Sequence, residues 1–169
     1  RMILLSLFCL ASIVMANAQR FALIDMEYIM ENIPEYQQAN NELELASQQY
    51  QKAVEAKAKE AEALYLAYQK AANTLSATQR TQKEEAIVAK EREAAELRKK
   101  YFGPEGEMAQ KQEALIAPIQ NRIYEVVKQI STQKGYDAVI DRASATSIIF
   151  ASPRIDISNE VLAKLGYSN

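Results

Sequence analysis

The chain has 169 residues, a formal net charge of −2, four glycines, one cysteine, no histidine and no tryptophan. Without histidine, and with Cys9 inside an apolar N-terminal run, the common nucleophile–base pairs and zinc sites are excluded. No glycine-rich phosphate loop or dinucleotide fingerprint is present. We therefore expect no enzyme activity, no cofactor and no metal. The charge also argues against nucleic acid as a partner, because phosphate binding needs an excess of basic residues.

The N-terminal segment has the pattern of an export signal. Arg1 gives it a positive start, residues 2–15 (MILLSLFCLASIVM) are almost wholly apolar, and residues 16–18 (ANA) supply a small-x-small cleavage pattern. The apolar run is shorter than the roughly 20 residues of a comfortable membrane span. We therefore expect residues 1–18 to be a cleaved signal peptide, with a retained anchor as the alternative. A mature chain without cysteine must then be held by packing or by oligomerisation.

A strand and a long helical segment are predicted next. The apolar run Phe21 to Ile24 predicts a buried strand, and Met26 to Glu31 can form a short helix. Pro34 suits the first position of a helix, and residues 35–102 contain neither glycine nor proline. This stretch is rich in the best helix formers and exceeds the length of single globular helices. It predicts an antiparallel helical hairpin, or coiled-coil arm, over residues 34–102 with its tip near 74–81.

The outgoing helix of this arm carries an apolar seam at coiled-coil spacing. Its members are Tyr36, Ala39, Leu43, Ala46, Tyr50, Val54, Ala58, Ala61, Tyr65, Tyr68, Ala72 and Leu75. Five of the twelve positions are alanine, and burial of each contributes far less than the roughly 1.5–3 kcal/mol of a large side chain. The arm should therefore be helical but loosely zipped. Ser76 to Gln79 and Thr81 to Glu84 both fit the capping box that begins a helix, which leaves the start of the return helix open.

The arm also carries apolar and aromatic side chains that are candidates for binding a partner. They are Leu45, Tyr50, Leu64, Tyr65, Leu66 and Tyr68. Residues 64–68 (LYLAY) are apolar nearly all round the helix, and the sequence leaves open whether they bind a partner or pack within the hairpin. The arm holds eleven Lys or Arg against eleven Asp or Glu residues, which suits a solvated helix surface. Without a nucleotide site, binding and release must follow mass action.

The remainder of the chain predicts a packed base. Residues 103–106 (GPEG) end the arm, and a helix from Glu107 to Gln133 should bury Leu115, Ile119, Ile123, Val126 and Ile130, with a kink at Pro118. Tyr136 to Asp141 and Ser147 to Ala151 predict two strands. Ser158 should cap a last helix over residues 159–165 that Gly166 closes.

These strands are too few to make a stable sheet alone. We therefore expect an α+β, mostly α fold, in which the arm projects from a small β-rich body formed by residues 19–33 and 103–169. Self-association is the simplest source of the missing surface. The side chains expected in this trimerisation body are Phe21, Leu23, Val139, Ile140, Ile148, Ile149 and Phe150.

The order of these segments resembles the Skp (OmpH-like) family of periplasmic chaperones. The resemblance rests on RFALIDMEYI at residues 20–29, the glycine-free arm, YDAVIDRAS at 136–144, SIIFASP at 147–153 and DISNEVLAKLG at 156–166. Residues 99–127 are similar to the branch of this family found in Bacteroidetes-type organisms. The resemblance implies a periplasmic homotrimer whose three hairpins surround a cavity. It also implies that unfolded outer-membrane proteins are held there without ATP.

One feature departs from the family. Its best-known members are strongly basic, whereas this chain is acidic and its arm is neutral. This argues against carrying over contacts with lipopolysaccharide or acidic membrane surfaces, and client capture should depend on tyrosine and leucine. The alternative function is a periplasmic structural or scaffolding coiled coil that docks a folded envelope partner. A peripheral-membrane protein is disfavoured by the balanced charge.

Overall fold

The computed structural model describes residues 19–167, so the predicted signal peptide at 1–18 lies outside the described residues. The elements are β1 (Phe21–Ile24), α1 (Met26–Glu31), α2 (Pro34–Ala71), α3 (Ala77–Phe102), α4 (Glu107–Lys134), β2 (Ala138–Asp141), a 3₁₀ turn (Pro153–Ile155) and α5 (Ser158–Leu165). Residues 19–167 are thus mostly helical, with long helices and one small sheet. The described residues divide into a helical unit, residues 30–124, and a terminal unit, residues 19–29 with 125–167.

The sheet of the terminal unit consists of two parallel strands. Phe21 pairs with Ala138 and Ile24 with Asp141, so segments more than a hundred residues apart meet in register. The predicted buried first strand is confirmed, and its partner β2 lies within the predicted strand Tyr136 to Asp141. On the other edge of β1, the amide of Ile157 donates to the carbonyl of Leu23 at 2.9 Å. Both edges of β1 are therefore occupied.

The predicted strand Ser147 to Ala151 is wrong for the single chain. Its backbone is irregular, and the side chains of Ile149 and Phe150 are 100% and 84% exposed. A strand needs a neighbour for its amides and carbonyls. Because Ile157 already bonds the second edge of β1 at Leu23, this segment does not pair with that strand. Strand propensity alone does not form a strand.

Ser158 does not cap α5, contrary to the sequence prediction. It is the first residue of α5 and is buried, and the position before the helix is Ile157, which makes no side-chain capping bond. The Ser158 hydroxyl accepts a hydrogen bond from the Asp25 amide at 2.8 Å and donates to Asp156 Oδ1 at 2.6 Å. The hydroxyl therefore joins α5 to the end of β1. Gly166 closes α5 in the left-handed region, φ 93°, as predicted.

Two aspartates at the ends of β2 are structural: Asp137 precedes the strand and Asp141 is its last residue. Asp137 Oδ2 accepts from the Arg20 amide at 2.7 Å, and Asp141 Oδ1 accepts from the Met26 amide at 3.0 Å at the start of α1. Although burial acts to raise the pKa of Asp141, hydrogen bonds led by the Met26 amide outweigh it and lower the pKa. Both carboxylates therefore hold neighbouring backbone.

In the helical unit, α2 starts at Pro34, as predicted. Its buried residues are Ala39, Ala46, Val54 and Ala61, all members of the predicted seam. Three of the four are alanine, so this seam contributes little apolar area to the core.

The turn after α2 uses one of the two predicted capping boxes. The Gln79 amide donates to Ser76 Oγ at 3.3 Å, and the Ser76 amide donates to Gln79 Oε1 at 2.9 Å. Thr81 instead lies inside α3. At the other end of α3, a Cβ on Gly103 would lie 2.4 Å from the carbonyl oxygen of Lys99. Close backbone approach therefore demands glycine there.

The core stripe of α4 largely follows the prediction. Ile119, Ile123 and Ile130 are buried, and Ile123 is fully buried. Val127 is buried where Val126, which is half-buried, was expected. Pro118 lies within the helix. These large aliphatic side chains supply the apolar burial that the alanine seam of α2 lacks.

Candidate functional site

The pair formed by α2 and α3, called here the helix pair, carries most of the candidate binding residues. Near the turn the Tyr68 hydroxyl donates to Glu84, and at the far end the Tyr50 ring stacks on Tyr101 with centroids 4.1 Å apart. Early residues of α3 thus meet late residues of α2. The two helices therefore run antiparallel and pack side by side.

Tyr50 holds the far end of the helix pair together. Its ring also meets Phe102 edge-on, with centroids 6.4 Å apart, and its hydroxyl donates to the carboxylate of Glu107. This hydrogen bond raises the pKa of Tyr50. The same bond, followed by one from Lys100, lowers the pKa of Glu107. The structure thus places Tyr50, a predicted client-binding residue, in a contact that joins α2, α3 and α4.

One flank of the helix pair is bridged by a charged network of Lys57, Glu60, Lys90 and Glu93. Lys57 lies 3.0 Å from Glu60, Lys90 lies 2.8 Å from Glu93, and Lys90 reaches Glu60 across the helices at 3.5 Å. A hydrogen bond from Lys57 lowers the pKa of Glu60, and one to Glu93 raises the pKa of Lys90. Single exposed ion pairs stabilise little, but here four groups share one network.

The opposite flank carries an open groove of about 690 Å³, called here the alanine groove. At about 100° per residue, Ala58 lies on the other side of the buried seam from Lys57. The floor is formed by five small side chains, namely Val54, Ala58, Ala61, Ala94 and Ala95. Because alanine ends at Cβ, two helices in contact along such a seam leave space beside it.

Two half-exposed aromatic rings line the alanine groove. Tyr65 of α2 lies towards the turn and Phe102 of α3 towards the other end, with exposed fractions of 48% and 42%. An apolar floor with a ring at each end can bury apolar or aromatic side chains of a partner.

The predicted binding residues are not all brought together. Leu45, Tyr65 and Leu66 are exposed, whereas Leu64 and Tyr68 are half-buried. Leu45 lies twenty residues before Tyr65 on α2, which is about 30 Å along a helix. Tyr65 alone of this set lines the alanine groove.

Sequence reasoning missed two exposed or half-exposed apolar residues of α3, Val88 and Phe102. It also assigned Ala58 to seam packing, although this residue is exposed in the groove. The signal was present in the alanine content of both helices, since facing alanines leave volume unfilled. The groove therefore follows from side-chain size rather than from hydrophobicity.

The side chains predicted for a trimerisation body lie in the terminal unit with mixed exposure. Leu23 is buried, and Val139 and Ile148 are half-buried. The exposed members are Phe21, Ile140, Ile149 and Phe150. The terminal unit thus presents large apolar side chains to solvent.

Two other features are absent from residues 19–167. No group of three or more cysteine or carboxylate side chains there is arranged to hold a metal ion. No helix in this described range is both long and apolar enough to cross a membrane.

Comparison with known proteins identifies the family. The sequence model of the family "Outer membrane protein (OmpH-like)" matches residues 20–165. The chain is 25% identical over 156 residues to the chaperone protein Skp of Yersinia enterocolitica, covering 92% of each chain. Its fold is similar to the crystal structure of a protein from Caulobacter crescentus CB15 described as an OmpH-like outer membrane chaperone, with a TM-score of 0.66, 13% identity, and coverage of 87% of this chain and 83% of that one. The chain therefore belongs to the OmpH-like outer membrane protein family.

Proposed function

We propose that this protein is an ATP-independent holdase chaperone of the periplasm that binds unfolded outer-membrane proteins and prevents their aggregation. The observation that carries the proposal is that the helix pair of this OmpH-like chain has an apolar surface exposed to solvent. This surface exposes Tyr65 and Leu66 beside an apolar groove, and nothing in the sequence provides a nucleotide site. The relative from Yersinia enterocolitica bears the name of a chaperone.

The helix pair suits the capture of many different unfolded segments. The buried residues of α2 are mostly alanine, so the two helices have few large side chains locked between them. Exposed Leu45, Tyr65 and Leu66 offer separate apolar contacts along α2. Each contact is weak, but several on one client add through effective concentration. Binding of this kind needs no energy-driven cycle for release.

The proposed assembly is a homotrimer in which three helical arms surround a cavity. The terminal unit supports self-association because Ile149 and Phe150 are exposed in a segment with strand-forming composition but no strand. Large exposed apolar groups commonly mark contact surfaces. Strands supplied by neighbouring subunits would complete the small sheet formed by β1 and β2.

The net charge of the chain limits which partners we propose. A net charge of −2 gives no attraction to nucleic acid, lipopolysaccharide or acidic lipid at long range. Capture of unfolded outer-membrane proteins is therefore assigned to aromatic and aliphatic contacts.

The test is dilution of a urea-unfolded β-barrel membrane protein into buffer with stoichiometric chaperone, followed by light scattering. The wild type should suppress scattering, and Tyr65→Ser with Leu66→Ser should weaken suppression. Tyr124→Ser is the matched control, since this side chain is 61% exposed but lies on α4 rather than on the helix pair. If the wild type does not suppress aggregation but binds a folded envelope protein tightly, the scaffolding function replaces the holdase.

A further inference from the structure

We propose that the alanine groove docks an extended client segment with an apolar centre, a basic residue at one end and an acidic residue at the other. This deepens the proposed function and rests on it, because such a segment is taken to belong to an unfolded outer-membrane protein. The argument comes from the charges at the two ends of the groove and from the distance between them.

The two ends of the groove carry opposite charge. Glu62 and Glu91 line the end nearer the turn, and Arg98 and Lys99 line the end nearer Phe102. In the described part of the chain, none of these four side chains has an ion-pair partner within 4.0 Å. The carboxylates on the opposite flank, by contrast, are committed to the charged network. The groove is therefore a polarised site with unused charge at both ends.

The spacing of these charges fits an extended peptide. Glu91 and Lys99 are eight positions apart on α3, which is about 12 Å along the axis at 1.5 Å per residue. An extended chain rises about 3.3 Å per residue, so roughly four residues span this distance. Side chains at i, i+2 and i+4 point to the same face of such a chain. The complementary pattern is thus basic-x-apolar-x-acidic, read in either chain direction.

The middle of the groove fits a large apolar side chain. Ala58 and Ala95, which face each other across the floor, are both exposed and project only a methyl group. A groove of about 690 Å³ leaves room for an aromatic ring, and Tyr65 and Phe102 can contact it from either end. An alternating segment of this kind is what an unfolded membrane β-strand supplies, because its residues alternate in polarity.

A fluorescence anisotropy titration with short labelled peptides tests the inference on the intact protein. The probe is Thr-Lys-Thr-Phe-Thr-Glu-Thr, with Lys and Glu four positions apart. The controls are the peptide with two Lys, the peptide with two Glu, and an isomer of equal composition in which Lys and Glu are adjacent. We expect the probe to bind about tenfold more tightly than each control. Equal affinity for all four peptides overturns the inference.

Variants of the groove sharpen this test. Ala58→Gln with Ala95→Gln fills the floor at exposed positions with a good helix former, and should weaken probe binding about tenfold. The matched control, Ala56→Gln with Ala86→Gln, changes exposed alanines that do not line the groove. Binding that survives the first variant overturns the inference.

Charge reversal and assembly separate the remaining outcomes. Glu62→Lys with Glu91→Lys makes both ends basic, so preference should move to the peptide with two Glu; an unchanged preference refutes the polarised site. A change of molecular mass in the Ala58→Gln, Ala95→Gln variant would assign the groove to a second copy of the chain and overturn client docking. If the wild type suppresses aggregation without discriminating the peptides, the groove inference fails and the holdase stands. If the wild type discriminates the peptides but does not suppress aggregation, the polarised groove stands and the holdase function fails.

Discussion

The exposed pair Ile149 and Phe150 gives the sharpest test of the proposed assembly. These side chains are 100% and 84% exposed, and both lie in an irregular segment, so the single chain gains little from them. Replacing both by serine should leave the fold of the subunit intact and remove apolar contact between subunits. The expected result is loss of the trimer without loss of helix.

The size of the effect follows from burial. Full burial of an isoleucine or phenylalanine side chain is worth about 1.5–3 kcal/mol, so the two residues together contribute about 3–6 kcal/mol per subunit if association covers them. Three subunits give about 9–18 kcal/mol for the trimer. At about 1.4 kcal/mol per tenfold, the trimer dissociation constant rises by about six to thirteen orders of magnitude. The concentration at half-assembly scales as the square root of this constant, so it rises by about 10³- to 10⁶-fold.

The assay is analytical ultracentrifugation at micromolar concentration, with circular dichroism to check the helices. The matched control is Leu45→Ser with Val88→Ser, which removes two side chains of 66% and 61% exposure from the helix pair. This control should remain trimeric. A trimer that persists in the Ile149→Ser, Phe150→Ser variant, or a wild type that is monomeric, would refute the assignment of this segment to the body.

Three further predictions concern stability. Ile123→Ala should lower the free energy of unfolding by about 2–5 kcal/mol in urea titrations, because the side chain is fully buried in α4; a change below 1 kcal/mol would contradict this packing. Gly103→Ala should cost about 1–3 kcal/mol in the same titration, since its Cβ would meet the Lys99 carbonyl at 2.4 Å, and a neutral result would show that the end of α3 can shift. The folded-state pKa of Glu107 is lowered, chiefly by the Tyr50 hydroxyl, so its stabilisation is present above the ordinary value of 4.5 and is lost as pH falls through the folded pKa. Thermal melts at low pH should therefore show a shallower loss of stability in Glu107→Gln than in the wild type, and parallel curves would contradict the contact.

The features that the sequence predicted well depend on local signals. Pro34 begins α2, Ser76 and Gln79 begin α3, and Gly166 ends α5, and each signal acts on backbone within a few residues. The hydrogen-bond partners of such residues are fixed by the helix itself. Element boundaries of this kind can therefore be read without knowing the tertiary fold.

The predictions that failed depend on distant partners. The Ser158 hydroxyl is engaged by Asp25, 133 residues earlier, rather than by the first turn of α5. The apolar run at 147–151 does not form a strand, and the second edge of β1 is occupied by Asp156 and Ile157. The β propensity of a segment indicates which conformation it can adopt, whereas its pairing depends on which strand edge is free. No local pattern contains that information.

The residues of the candidate site also divide into those whose exposure follows from local sequence and those whose contacts depend on distant partners. The exposure of Tyr65 and Leu66 was foreseeable because residues 64–68 are apolar on every side of a helix that has only one packed face. The stack of Tyr50 on Tyr101 was not, because it depends on the register between α2 and α3. That register depends on the position of the turn between the two helices. Because the sequence offers two capping boxes, it does not fix this position to within several residues.

Alanine connects the mechanical and the binding properties of the helix pair. A seam of leucine would lock the two helices together and fill the space beside them, whereas Ala46 and Ala61 allow close approach with little apolar burial. Cohesion must then come from the ends and the surface, where Tyr50 stacks on Tyr101 and the charged network bridges one flank. The other flank is left open as the alanine groove. The residues that make the pair weakly zipped are therefore the same residues that create its binding space, so replacing floor alanines with larger apolar side chains should stiffen the pair and reduce client capture together.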